Sequence, residues 1–455
     1  MVLATVPFLL YFLIMYSKNN VAPQPPMGWN SYDYYNTTVN EEQVRANAEY
    51  MAQNLKEYGW NYIVVDIQWS DPNAGTRTDV QYVPFTQFCI DEYSRQIPAP
   101  NRFPSSKDGK GFAPLAEYIH SLGLKFGIHI MRGIPRICAH NHTKIFGTDV
   151  TADQIANPFS ISRWNGDMYG VDYTKAGAQE YYDSVFALYA QWGVDFVKVD
   201  DICNTNMYPS NPYSAEKEIE MIARAIERCG RPMVLSLSPG PAVIEKAWHL
   251  EKYANMWRIT DDFWDDWTLL KAMFERCEVW QKHVGGGNWP DCDMLPLGKL
   301  GEGWGKGSWQ TRFTPAEQRT MMTLWCIFRS PLMIGTDLPQ LDENTKELLT
   351  NREVLWVQRF ARDAFQVMRN EKQCVWASYG GGCPASGMQI YVALFNLSDK
   401  EDDVTVRLSE IEGIQAQNTY QVRNLWEKSD MFPLAGDTLL SLKVKAHDAV
   451  LLKLS

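Results

Sequence analysis

QEYYDSVFALYAQWGVDFVKVDD, residues 179–201, carries a complete folding unit. An amphipathic helical stretch closes on Gly193, a short run rich in valine follows, and the run stops at two adjacent aspartates. The same unit recurs along the chain. In residues 41–69, Val44, Ala48, Met51 and Leu55 return at helical spacing, Gly59 is placed as a C-cap, and Tyr62 to Asp66 read as a strand. Residues 112–131, 216–240, 245–262, 268–295 and 316–337 repeat the pattern, and MGWNSY, residues 27–32, supplies an opening strand. Residues 344–360 supply the eighth helix. Eight alternating strands and helices predict a parallel sheet closed into a (β/α)8 barrel over 22–361. An open doubly wound sheet would need a glycine-rich phosphate turn after the first strand, and MGWNSYDYYN has none.

From residue 362 the rhythm changes. CVWASY, GMQIYVALFNLS, DVTVRLSEI and TLLSLKVKAHDAVLLKLS are short alternating runs separated by turn residues, which predict a C-terminal antiparallel β-sandwich over 362–455. No acids or histidines cluster there, so its expected role is packing.

A net charge of −11 without a lysine/arginine cluster argues against nucleic acid and anionic membrane surfaces as partners. Residues 2–16 are apolar and uncharged, too short for a comfortable membrane span and suited to a signal peptide or N-terminal anchor within 1–20. Sequons at Asn36, Asn141 and Asn396 fit the same export route, so a secreted protein, or one of a lysosomal or periplasmic-type compartment, is expected. Nine cysteines contain no CxxC pair, which removes zinc ribbons and thioredoxin chemistry. Seventeen Trp and 22 Tyr serve chiefly as core, with some available to stack on a sugar ring.

The predicted strands end in polar side chains: Asp66, His129, Asp200, Ser238, Asp262, Asp293 and Asp337, from the second strand to the eighth. In a barrel these ends converge on one mouth, where active sites form. Side-chain parity then separates the two aspartates of each doublet. Phe196, Lys198 and Asp200 share one strand face; Val197 and Val199 share the other and suit the dry layer beneath the helices. Arg258, Thr260 and Asp262 share a face that excludes Asp261. Asp200 and Asp262 are therefore expected in the lumen, each with a cation two or four residues earlier. Retaining glycoside hydrolysis uses such a carboxylate pair, one as nucleophile and one as acid/base; two structural ion pairs at a barrel rim would give the same spacing. A metal-dependent barrel hydrolase would want histidines at strand ends, and His129 alone is available.

PPMGWNSYDYYN, KVDDIC, MWRITDD and WPDCDML, in this order, resemble the clan of (β/α)8 glycosidases that contains α-galactosidases and α-N-acetylgalactosaminidases, glycoside hydrolase family 27. The resemblance runs from about residue 25 to the C-terminus. It implies a retaining exo-glycosidase acting on terminal α-D-galactosides of an oligosaccharide or glycoconjugate, with no cofactor and no metal, and with a homodimer left open. It makes Asp200 the nucleophile and Asp262 the acid/base. Lys198, Arg258, Asp293 and Asp66 match sugar ligands, Tyr32 stands at an aromatic position, and His129 stands where the family often has Tyr. A family disulfide beside the nucleophile would correspond to Cys138 with Cys203, although Cys203 falls one residue later than usual.

The departures concern specificity. The family's second strand usually ends in two adjacent acids gripping the 4- and 6-hydroxyls of galactose; here VVDIQW puts Ile67 at the second place. A charge-assisted hydrogen bond worth roughly 1.5–3 kcal/mol is thereby absent. Gln68 and Trp69 are candidates for reshaping the pocket, and Ser238 for meeting a 2-substituent. The alternatives are the same chemistry on an α-N-acetylgalactosaminide, a β-L-arabinopyranoside or an α-glucan, or a catalytically silent sugar-binding relative.

Overall fold

The computed structural model describes residues 18–76, 81–205, 210–380 and 389–455. The apolar leader and Cys383 lie outside the described residues. Eight parallel strands form the barrel: β1 (Met27–Asn30), β2 (Tyr62–Val65), β3 (Lys125–Met131), β4 (Phe196–Asp200), β5 (Val234–Leu237), β6 (Met256–Arg258), β7 (Trp289–Asp291) and β8 (Leu332–Ile334). Hydrogen bonding runs in the order β7-β6-β5-β4-β3-β2-β1-β8. The circle closes just past β7, where Leu295 bridges Ile334 in parallel and its amide donates to the Met333 carbonyl at 2.8 Å.

Alternation along each strand builds two apolar layers. Tyr62, Val64, Phe196, Val234, Met256 and Trp289 fill the barrel interior. Ile63, Val65, Val197, Val199, Leu235 and Leu237 belong to the larger core beneath the helices. The interior is so full that β1 must carry Gly28: a Cβ there would lie 2.4 Å from the Tyr62 carbonyl oxygen. The lower barrel is thus a packed plug, which leaves the C-terminal strand ends as the place for a cavity.

The outer ring comprises α1 (Glu41–Asn54), α2 (Ala113–Ser121), α3 (Ala178–Trp192), α4 (Glu216–Cys229), α5 (Ala247–Tyr253), α6 (Trp267–Trp280) and α7 (Pro315–Phe328). The expected eighth helix is two, α8 (Glu343–Thr350) and α9 (Arg352–Phe360). Asn351 divides them because its side chain accepts from the amides of Glu353 and Val354, capping a new helix rather than continuing the old one. Among the described residues no helix is long and apolar enough to cross a membrane.

The connection from β3 to α3 holds a small antiparallel sheet, Ile134–Pro135, Ala156–Ile161 and Met168–Val171, that the rhythm of the sequence does not announce. The C-terminal domain is antiparallel as expected. Its six-stranded sheet faces the pair Asp402–Arg407 and Leu439–Val444 across a separate apolar core. The opposite face docks on the barrel: Phe395 packs edge-on against Phe274 of α6 and Trp376 against Phe328 of α7.

The disulfide implied by the resemblance is not formed, and two of the three sequon asparagines are buried. Cys138 and Cys203 are free thiols, both buried. Cys138 lies against the Ser94 carbonyl, whereas Cys203 sits beside the Arg258 backbone. Of the sequons only Asn141 is exposed. Asn396 is buried and its amide donates to the carbonyls of Lys400, Val444 and Lys445, and Asn36 is buried against Gly303 and Gln81, so neither amide is presented for glycosylation.

Candidate active site

The strand ends surround a cavity of about 340 Å³. At the end of β2, Asp66 is 1% exposed and its Oδ2 accepts from Asn30 Nδ2 at 2.6 Å and from Lys198 Nζ at 3.0 Å. Burial raises the Asp66 carboxyl, but the charge of Lys198 and the hydrogen bonds of Asn30 and the Ile67 amide outweigh it and hold it below the ordinary range. Lys198 is desolvated too, and the flanking carboxylates Asp66 and Asp200 nevertheless keep it cationic. Its ammonium lies 5.7 Å from the centre of the Tyr32 ring, whose hydroxyl is 3.2 Å from that of Tyr82.

Asp200 ends β4 in register with Met131, and Lys198 pairs with His129 two residues below. His129 Nε2 lies 3.2 Å from Asp200 Oδ2, and the Asp201 amide donates to Oδ1 at 2.9 Å. Burial pushes the Asp200 carboxyl up, but these two hydrogen bonds and Lys198 together pull it well below the usual carboxylate range. The ionised form of Asp200 is thereby favoured.

Across the mouth, the Arg258 guanidinium reaches Asp262 Oδ1 at 3.0 Å and Asp293 Oδ1 at 2.9 Å. Asp293 Oδ2 in turn accepts from the Phe263 amide at 2.8 Å, which pins the loop after β6 over β7. Asp262 itself is 64% exposed, on the rim. Thus Asp200 is held by the walls and Asp262 is open to solvent, an asymmetry that suits an anchored nucleophile and an acid exchanging protons with water.

The structure resolves the doublets differently. At 200–201, only Asp200 enters the cavity. Asp201 adopts a left-handed φ of 55°, which turns the chain out of the strand, and its carboxylate pairs with buried Arg132 at 2.9 Å, alongside Glu218. At 261–262 both members line the cavity, because β6 has already ended at Arg258 and strand parity no longer applies.

Tyr32, Asp66, Lys198, Asp200, Arg258, Asp262 and Asp293 all line the one cavity. Trp69, His129 and Ser238 do not. Trp69 is buried in the helical layer, edge-on to Phe112 and Trp192, with its Nε1 donating to the His129 carbonyl. His129 is 1% exposed and meets Asp200 from behind. Ser238 is buried with its hydroxyl toward the Val199 carbonyl, and Pro239 takes its place at the wall. Asp337 serves packing, accepting from the Tyr35 hydroxyl at 2.6 Å.

Sequence reasoning missed Asp33, Tyr82, Trp164 and Trp264, which also line the cavity. Asp33 is 4% exposed, and burial and then the nearby Asp293 raise its carboxyl well above the ordinary range. Its place beside Tyr32 at the end of the first strand was the available signal.

A parallel eight-stranded barrel whose mouth sets carboxylates against a lysine and an arginine, with an anionic Asp200 and an exposed Asp262, defines a barrel glycoside hydrolase. The comparisons carry this to a family. Residues 166–359 match the family model Alpha galactosidase A, and residues 377–454 match Alpha galactosidase C-terminal beta sandwich domain. The crystal structure of a family 27 β-L-arabinopyranosidase from Geobacillus stearothermophilus is 53% identical, covers 96% of this chain and 98% of that one, and superposes with a TM-score of 0.90. A variant of that enzyme in complex with arabinose is 52% identical, covers 97% of this chain and 99% of that one, and gives 0.91. The α-galactosidase of Cyamopsis tetragonoloba is 27% identical over 434 residues, 95% of this chain and 86% of that protein. The chain belongs to glycoside hydrolase family 27.

Proposed function

We propose that this protein is a retaining β-L-arabinopyranosidase, in place of the α-D-galactosidase that the sequence motifs first suggest. The observation that carries the proposal is Ile67. It lines the cavity beside Asp66 and forms an apolar patch with Met131 and Met168, against which Tyr32 and Tyr82 pack. β-L-Arabinopyranose has the ring configuration of α-D-galactopyranose without the C6 hydroxymethyl group. A wall with a butyl side chain where a carboxylate would grip the 6-hydroxyl suits the sugar that has none, and leaves a 6-hydroxyl unsatisfied. The high identity to an arabinopyranosidase across both domains supports the same reading. Ser238, the expected neighbour of a 2-acetamido group, does not reach the cavity.

The chemistry follows from the two carboxyls. Asp200 attacks the anomeric carbon while Asp262 passes its proton to the leaving oxygen, giving a covalent glycosyl-enzyme and a free alcohol. Asp262, now a carboxylate, takes a proton from water as that water displaces Asp200, which restores both groups and the anomeric configuration. Lys198, Asp66, Arg258 and Asp293 bind the glycone hydroxyls.

A panel of 4-nitrophenyl β-L-arabinopyranoside, α-D-galactoside, α-N-acetylgalactosaminide and α-D-glucoside tests the reading. The expected result is a kcat/KM at least about tenfold higher for the arabinopyranoside than for the others, the scale of one polar contact. Equal or faster cleavage of the galactoside would overturn it.

A further inference from the structure

The cavity is built on two levels. Its floor holds Asp66, Lys198 and Arg258, all buried or nearly so, with Lys198 paired to Asp66 and Arg258 to Asp293. Its rim holds Asp262, exposed and reached by Arg258, and two indoles, Trp164 and Trp264, that take no part in these ion pairs. The indoles arrive on separate loops. Trp164 stands between the strands Ala156–Ile161 and Met168–Val171 of the insert after β3, and Trp264 lies two residues beyond Asp262.

Each indole is held by aromatic neighbours. Trp164, 37% exposed, rests edge-on against Tyr82 with ring centres 5.3 Å apart. Trp264 packs against Trp304 at 5.5 Å and Trp309 at 6.1 Å. Such packing fixes the planes with little loss of side-chain freedom on binding, and a large apolar face left open at a cavity edge signals a ligand. The side of the cavity is set by Asp262: its proton goes to the leaving oxygen, so whatever that oxygen carries must pass over this rim.

We propose that Trp164 and Trp264 form a leaving-group subsite for a neutral aglycone with a planar face, an aryl ring or a second sugar ring, which stacks on the indoles while the glycone occupies the floor. The cations of the lining, Lys198 and Arg258, belong to the floor, and the rim adds the carboxylates of Asp261 and Asp262, which disfavours an anionic aglycone. The inference rests on Asp262 as the acid/base and is independent of which glycone is cleaved.

The test compares a 4-nitrophenyl glycoside with the glycosyl fluoride of the same sugar, whose leaving group has no ring. It uses whichever glycone the full-length enzyme turns over, so failure of the arabinopyranoside reading shows as a change of glycone and leaves this measurement intact. In Trp164→Leu the ratio of kcat/KM, aryl glycoside to fluoride, is expected to fall about tenfold through KM, whereas Trp164→Phe, which keeps a planar ring, stays within about threefold of wild type. A ratio in Trp164→Leu within twofold of wild type, or an equal loss in Trp164→Phe, would overturn the subsite.

Discussion

His129 Nε2 stands 3.2 Å from Asp200 Oδ2, on the side of the carboxylate away from the cavity. With Asp200 as the proposed nucleophile, the histidine acts on it from outside the cavity. Together with the Asp201 amide and the Lys198 charge it opposes the desolvation that would otherwise raise the Asp200 carboxyl. Oδ2 meets His129 and Oδ1 accepts from the Asp201 amide, which commits the carboxylate to a fixed orientation.

The pH profile follows from that contact. A carboxyl whose pKa is depressed in the folded enzyme stays ionised until the pH falls below its lowered value, so the nucleophile does not limit activity in mild acid. His129→Phe removes one hydrogen bond and leaves Lys198 in place, which moves the Asp200 pKa upward. The acid limb of kcat/KM is expected to shift up by about one pH unit, equivalent to ~1.4 kcal/mol. A profile that keeps its acid limb while losing amplitude would assign His129 a purely packing role.

Asp262, exposed and reached by Arg258, is the acid/base in the proposed function. Asp262→Asn should lower kcat/KM by roughly 10²–10⁴-fold for a glycoside with a poor, alkyl leaving group, and far less for a dinitrophenyl glycoside that departs unaided. Azide should then accelerate the second step and yield the glycosyl azide with retained configuration. Equal losses with both leaving groups would place the acid elsewhere.

In the proposed function Ile67 is the residue that separates two sugars differing by one hydroxymethyl group. Ile67→Asp supplies an acceptor for a 6-hydroxyl and spoils the apolar patch with Met131 and Met168. A charge-assisted hydrogen bond of roughly 1.5–3 kcal/mol predicts that the galactoside-to-arabinopyranoside ratio of kcat/KM rises about 10–150-fold. The 4-nitrophenyl pair measures it directly, and a ratio that does not move would remove Ile67 from the specificity argument.

The barrel was readable because each unit repeats a helical period followed by a period of two, and the inward placing of Lys198, Asp200 and Arg258 follows from strand parity alone. The rule fails where strands end. Trp69 lies four residues past Val65, the last residue of β2, and turns into the helical layer; Asp261, past β6, enters a cavity that parity denied it. Ser238 falls one residue beyond β5, where the chain has already bent toward Pro239. Trp164 was invisible for a different reason: the insert that carries it consists of short strands, Ala156–Ile161 half-exposed and Met168–Val171 mostly buried, whose sequence shows no clear period. Loop-borne aromatics of this kind are found by contacts, and contacts between distant segments are not written in local pattern.

Asp291, at the end of β7, gives a stability test whose sign is unusual for a carboxyl. It is 6% exposed, and burial and neighbouring Asp293 push it up to about 7 despite Arg258. In the unfolded chain the same group titrates near the ordinary value. Above pH 7 both states are ionised and the fold bears the whole cost of a buried anion. As the pH falls from 7 toward 4 the native state takes up a proton that the unfolded state does not, and the cost fades; below that window the group contributes nothing. Asp291→Asn removes the charge and keeps the acceptor that meets the Asp293 amide at 2.9 Å. The variant should therefore gain stability at pH 8, on the order of 2–4 kcal/mol, with the gain vanishing near pH 4. Calorimetric melting at the two pH values checks it: an Asn variant that melts lower than wild type at pH 8 would show that the ionised Asp291 is stabilised by Arg258 rather than strained by Asp293.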